Sequence, residues 1–266
     1  MTGVATGTAP TFRQLTVPAS VLLVVGAAAW VGVVSVSRDM GEMPGTMGLG
    51  FGAFVAVWAL MMTAMMLPTV APFTALYTRT LTDHRARRIA ELACGYLLVW
   101  TLAAVPAFVL AWVAGELVGS HAGAATVVAV VIFAACGIYQ LTPLKDRCLA
   151  HCRSPLGFVM KYGSYTGRLR DMRVGLNHGA FCLGCCWALM AVLVAVGLMN
   201  VLAMVVLAAV VLVEKTWRWG PRFSRVVGVI ALVLALVVVF RPSLAAGLQP
   251  APMSGGDMVD APTMDG

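Results

Sequence analysis

AFCLGCCWALMAVLVAVGLMNVLAMVVLAAVVLV, residues 180–213, runs for 34 residues without a charged side chain. As one helix it would be about 51 Å long, against a bilayer hydrocarbon core of about 30 Å. Two helices joined by a turn fit better, and Gly197 and Asn200 supply turn residues at a suitable point. The same measure of about 20 apolar residues per span places further helices along the chain. The expected spans are 17–37, 50–70, 89–114, 124–143, 179–197, 200–214 and 224–241. The sixth is short, which tilt or local bilayer thinning would accommodate.

Composition points the same way. The chain is 61% hydrophobic and 11% charged, whereas soluble domains are about 25% charged. A soluble chain of 266 residues has too little interior to hide that much apolar surface. In lipid the backbone must satisfy itself, through helices or a closed barrel. The apolar runs are continuous rather than alternating, so they read as helices and not barrel strands. The first run lacks the basic n-region of a secretion signal and a small-residue cleavage pattern, so it reads as a spanning helix rather than a cleaved signal.

Basic residues choose the direction. Sixteen of the 18 Lys and Arg fall in four stretches: Arg13; Arg79 to Arg88; Lys145 to Arg173; and Lys215 to Arg225. Seven spans with a cytoplasmic amino terminus place all four inside, leaving Arg38 and Arg241 at helix ends outside. The net charge of +7 is then accounted for by anionic lipid headgroups, with no nucleic-acid partner. The expected fold is all-α, a polytopic integral membrane helix bundle of about seven helices, six being the alternative. Residues 1–16 form a short cytoplasmic amino terminus and 17–241 the membrane domain. Residues 144–178 form a long cytoplasmic loop, and 242–266 a disordered extracytoplasmic tail.

This topology collects all seven cysteines towards the cytoplasmic face. Thiols stay reduced there, and reduced thiols suit soft metals, Cu(I) above all, with zinc as the borderline case. Taking His178 as zero on a helix, Cys182 lies at about +40°, Cys185 at about −20° and Cys186 at about +80°. His178, Cys182 and Cys185 thus share a stripe with Cys186 at its edge. In the preceding loop Cys148, His151 and Cys152 place three further donors within five residues. Cysteine is also an ordinary small buried residue, so one C-x-x-C carries little. His178, Cys186 and the second Cys/His segment tip the reading towards metal.

Sixteen methionines add to the soft-donor count. On 50–70, Trp58, Met62, Met65 and Thr69 form one stripe with Met61 and Met66 beside it. Thioethers select Cu(I), although methionine is also a common filler of apolar gaps. Further methionines at 40, 43, 47, 253, 258 and 264 would lie on the outer side. No Asp or Glu falls mid-span; Glu91, Glu116 and Glu214 come closest, which disfavours proton relays and carboxylate-bridged di-iron sites. No phosphate-binding glycine loop is present, so this chain encodes no ATP-driven pump. Glu214 and Lys215, followed by Trp217 and Trp219, read as an interfacial anchor, with a salt bridge to the long loop as the alternative.

Four stretches carry a resemblance: WALMMTAMMLPTVAPF from Trp58, YQLTPLKDRCLAHCRSP from Tyr139, GLNHGAFCLGCCWALM from Gly175 and EKTWRWG from Glu214. Together they resemble a bacterial domain-of-unknown-function family described as predicted metal-binding integral membrane proteins. The resemblance implies a multi-pass protein of the bacterial inner membrane that handles metal. Cys148, Cys152, Cys182, Cys185 and Cys186 match its cysteine motifs.

The expected function is binding of a soft metal ion, Cu(I) or else zinc, near the cytoplasmic face for delivery, transfer or transport rather than turnover. Its ligands would come from Cys182, Cys185, Cys186, His178, Cys148, Cys152, His151, Met62 and Met65. Its partners would be the bilayer and a metal-donor or acceptor protein. A membrane thiol–disulfide or metal-dependent oxidoreductase and a scaffold subunit of a membrane complex are the alternatives.

Overall fold

In a computed structural model of the protein the described residues are 12–39, 45–81, 83–121, 123–153, 162, 165 and 167–248. All regular structure among them is helical. Helix α1 covers Phe12–Asp39, α2 Phe51–Tyr77, α3 Arg85–Leu102, α4 Ala104–Ser120 and α5 Ala124–Gln140. Helix α6 covers Pro143–Arg153, α7 Arg170–Val196, α8 Val201–Thr216 and α9 Gly220–Phe240. Five stretches are long and apolar enough to cross a membrane: Ser20–Arg38, Phe51–Thr80, Arg85–Ser120, Arg170–Val196 and Gly220–Phe240. A sixth results if α5 and α6, bent by 65° at their junction, count as one broken span. Helix α8 has 16 residues, about 24 Å at 1.5 Å per residue, and falls short of that length.

The break within 180–213 falls where the turn residues lie. Helix α7 ends at Val196, Gly197 adopts φ +115°, and α8 starts after Asn200. The Asn200 side chain caps α8 by accepting from the Ala203 N–H at 3.0 Å. Residues 89–114, read as one span, contain a break between α3 and α4 at Ala103. Pro106 is the cause, since it has no N–H for the Leu102 carbonyl and its ring crowds that turn. The Trp58 indole of α2 donates to the Trp100 carbonyl just before the break, at 2.9 Å.

Within 144–178 the described residues include two helical segments, α6 and the first turns of α7. Thr142 accepts from the Lys145 N–H at 3.3 Å and Pro143 occupies the first helical position, so α6 begins on a standard cap. Helix α7 starts at Arg170, nine residues before the apolar run, because Asp171 is buried on α2 and α3. Its carboxylate accepts from Tyr77 Oη and from Arg88, at 2.8 and 3.2 Å. The thiols of α7 therefore lie midway along a helix of 27 residues rather than at its start.

Helix α2 is the central element: Trp58, Met61, Met62, Met65, Met66 and Thr69 are all buried. It packs on α1, α3, α4 and α8. Helices α3 and α7 meet backbone to backbone. A Cβ on Gly175 would strike the Leu92 carbonyl, and one on Gly179 would sit 3.1 Å from the Tyr96 carbonyl. Gly175 and Gly179 are a small-xxx-small pair, the spacing that lets two helices approach closely. Helices α5 and α9 pack in the same manner through Gly137 and Gly228.

The carboxyl end of α2, the start of α3, α6, the first half of α7, the end of α8 and the start of α9 gather at one end of the bundle. The pairs Arg88–Asp171, Lys145–Glu214 and Arg225–Asp146 tie them there. Beyond α9, Pro242–Leu244 and Ala246–Leu248 are short 3-10 turns, with Leu248 buried. Met40, Met43, Met253, Met258, Met264 and the rest of the tail lie outside the described residues. Met47 is described and buried.

Candidate metal centre

Helix α7 supplies the core of the site. Cys182, Cys185 and Cys186 are buried, the first with no exposed surface. Cys185 Sγ lies 3.2 Å from Cys186 Sγ and donates to the Cys182 carbonyl at 3.2 Å. From α6, the Cys152 sulfur reaches 3.7 Å from Cys185 Sγ. Segments separated by 33 residues thus bring their thiols together. Cys152 is half-buried, so the thiols run from the flank of α6 into the dry interior.

Cys148 lies one turn earlier on α6 and points elsewhere. It is half-buried against Gly184, where a Cβ would lie 2.9 Å from its sulfur. A larger residue than glycine at 184 would have to displace the Cys148 sulfur. Tyr139 adds a lock by donating to the Gly184 carbonyl. The His151 ring stacks on Phe181 at 3.9 Å. His178 is buried one turn before Cys182, stacked on Phe73 at 4.4 Å and tilted against Tyr96 at 5.8 Å. Met62 and Met65 are buried in the α2 core. The α2 groups that reach the thiols through hydrogen bonds are Thr69, through Lys215, and the Met66 carbonyl, through Tyr96.

Sequence reasoning missed Tyr96, Gln140 and Ser224 beside the thiols, and it gave Lys215 only an interfacial role. Tyr96 Oη lies 3.0 Å from Cys182 Sγ, and Lys215 Nζ lies 2.9 Å from the same sulfur. Lys145 is fully buried; it donates to the Cys185 carbonyl and pairs with Glu214 at 2.7 Å. Gln140 donates to the other carboxylate oxygen of Glu214 at 2.9 Å, and Ser224 donates back to Gln140 at 3.3 Å. This polar chain joins α5, α6, α8 and α9 directly behind the thiols.

The anchor reading of Glu214 and Lys215 is therefore corrected, and for Glu214 the alternative holds, a salt bridge to Lys145 of segment 144–178. Both turn inward because the bundle offers each a partner that headgroups would otherwise supply. Trp217 and Trp219 do remain exposed, with Arg218 and Arg222 over the Trp219 ring at 4.9 and 4.2 Å. The available signal was the Glu214–Lys215 pair at the end of an apolar run, since ionisable residues at membrane depth usually have functional partners.

As they stand, the described residues hold no group of three or more His, Cys, Asp or Glu poised as a metal cage. The thiols are hydrogen-bonded to one another instead. The donor set is soft and sulfur-rich, and the Glu214 carboxylate behind it is already engaged by Lys145 and Gln140. Such a set suits a thiophilic ion and offers little to a hard one.

No curated protein and no solved structure matches the chain. A match does arise with a family whose description names the metal, which the motif resemblance alone does not. Over residues 55–238 the sequence fits the family described as PpoB2, copper chaperone, and the chain belongs to that family.

Proposed function

We propose that this protein is a multi-pass bacterial inner-membrane protein that takes up Cu(I) as cargo and passes it to an acceptor protein. Seven spans with a cytoplasmic amino terminus would put the thiol end of the bundle at the cytoplasmic side. Cys182, Cys185 and Cys186 form the core of the site, and Cys152 is its arm towards the surface. The observation that carries the reading is the 3.7 Å approach of Cys152 to Cys185 beside the 3.2 Å pair Cys185–Cys186. Copper as cargo also agrees with the family description.

Uptake exchanges thiol protons for metal, because a thiolate and not a thiol is the ligand. The hydrogen-bonded thiols would turn from each other onto the ion. Soft sulfur donors without a free carboxylate favour Cu(I) over Mg²⁺, Ca²⁺ or Mn²⁺. His178 lies one turn from Cys182 and would join by rotating off Phe73. Cys148 and His151, on the same short helix as Cys152, would serve as alternative ligands during transfer. For Met62 and Met65 the support is the soft thioether alone.

Metal content of detergent-purified protein tests the proposal, with and without Cys182→Ser plus Cys185→Ser. Stoichiometric copper in the wild type, lost in the double variant, is the expected result. Full metal retention in the double variant would overturn the assignment. A metal-free protein carrying a reversible Cys152–Cys185 disulfide by differential alkylation would favour redox work, which the same sulfur separation allows.

A further inference from the structure

Lys215 is in an unusual position for a lysine near the end of a membrane helix. Such side chains normally extend along the helix and leave the ammonium among headgroups and water. This one turns inward, with Nζ 2.9 Å from Cys182 Sγ and 3.1 Å from Thr69 Oγ1. Among the described residues it forms no ion pair with a carboxylate. Glu214, its neighbour in sequence, faces Lys145 at 2.7 Å and Gln140 at 2.9 Å. The two lysines behind the thiols are therefore not equivalent: Lys145 has a carboxylate counter-ion and Lys215 has a cysteine sulfur.

We infer that Lys215 is the built-in counter-cation of an anionic metal–thiolate complex, which makes the site one for monovalent copper held by two thiolates, Cys182 and one of its α7 neighbours. The inference rests on the copper reading above and adds to it a residue that sets the charge of the occupant. A monovalent ion between two thiolates carries one net negative charge. In a dry interior that charge is costly unless a cation sits beside it. Lys215 supplies the cation at the sulfur of Cys182, and Thr69 holds the ammonium in place. A divalent ion on the same two thiolates would be neutral and leave the ammonium without its counter-charge. Tyr96, 3.0 Å from the same sulfur, adds a hydroxyl donor to the thiolate without altering the charge balance.

The test is Cu(I) affinity of the full-length, detergent-purified protein, measured by competition with the chelator bicinchoninate. Zn(II) affinity is measured in parallel with a zinc-selective dye. Lys215→Met removes the charge, Lys215→Arg keeps it, and Lys215→Gln keeps a hydrogen-bond donor without charge. Loss of a charge-assisted contact should weaken Cu(I) binding about 10- to 100-fold in the Met and Gln variants, and only slightly in the Arg variant. Zn(II) affinity should change less than Cu(I) affinity, and the copper capacity at saturation should stay the same.

Because Gln is polar and uncharged, it keeps the test valid if Met is not tolerated. Wild-type Cu(I) affinity in both neutral variants would overturn the inference while leaving the copper site standing. Equal losses in Arg and Met would overturn the charge assignment as well. A wild-type protein that binds no Cu(I) would overturn the copper reading itself, and the inference with it.

Discussion

At the scale of single residues, the consequential ones are polar groups in an apolar setting. Lys145 and Glu214 are both fully buried, and removing one partner strands the other as an unpaired charge. Lys145→Met alone should destabilise the fold by about 3–5 kcal/mol, whereas adding Glu214→Leu should restore much of that loss. Thermal unfolding in detergent, followed by thiol-reactive dye, checks both. A single variant as stable as the double would remove the pair from the list of essential contacts. Cys152 invites a different comparison, since it is half-buried while its neighbour Cys185 is not exposed. Cys152→Ser should leave equilibrium copper affinity nearly unchanged and slow copper exchange with an external thiol chelator. A stopped-flow comparison of exchange rates reads this directly. Equal rates would place the route for the ion elsewhere.

At the scale of elements, two junctions position the site. The first is the α3–α7 contact, in which Gly175 and Gly179 let backbones touch and thereby bring Tyr96 against Cys182. Gly175→Val should overpack this contact by about 1–3 kcal/mol or more and separate the pair. A lower melting temperature together with faster alkylation of Cys182 is the expected signature. Unchanged alkylation would show that the contact does not shield the thiol. The second is the start of α6, where Thr142 caps the helix that presents Cys152. Thr142→Ala should remove about 1 kcal/mol of helix stability. Its effect should appear in the Cys152–Cys185 approach: bifunctional crosslinking of the two thiols would fall while the α7 thiols behave as before.

At the scale of the whole molecule, the prediction concerns direction. Every basic segment among the described residues from Arg79 to Arg225 lies at the thiol end of the bundle, held there by Arg88–Asp171, Lys145–Glu214 and Arg225–Asp146. Reporter fusions after Phe12, Arg153 and Trp219 should all report the cytoplasm, and one after Leu248 the opposite side, as the positive-inside bias requires. A cytoplasmic signal after Leu248 would instead mean an even number of crossings and a different path for α8 or the α5–α6 pair. That helix and that pair are where length gives the least guidance, at 16 residues and a 65° bend.

The apolar helices were legible in the chain because length and continuous hydropathy are local signals. Backbone groups must bond within the helix, so long apolar runs become helices wherever they occur, and Gly197 with Asn200 ends one of them regardless of its neighbours. The cysteine stripe of α7 was legible for the same reason: helical spacing alone determines which residues share a face. Tertiary contacts decided the rest. The extension of α7 to Arg170 depends on Arg88 and Tyr77, which lie more than 80 positions away and carry no local signal. The inward turn of Glu214 and Lys215 depends on which polar partners α2, α5, α6 and α7 bring to that end of α8. Sequence spacing supplied the thiols; only the packing of α3, α6 and α8 around α7 decided which of them meet and which charges stand beside them. A helix face follows from its period, but the choice among faces is settled by pairwise burial and ion pairing across the bundle.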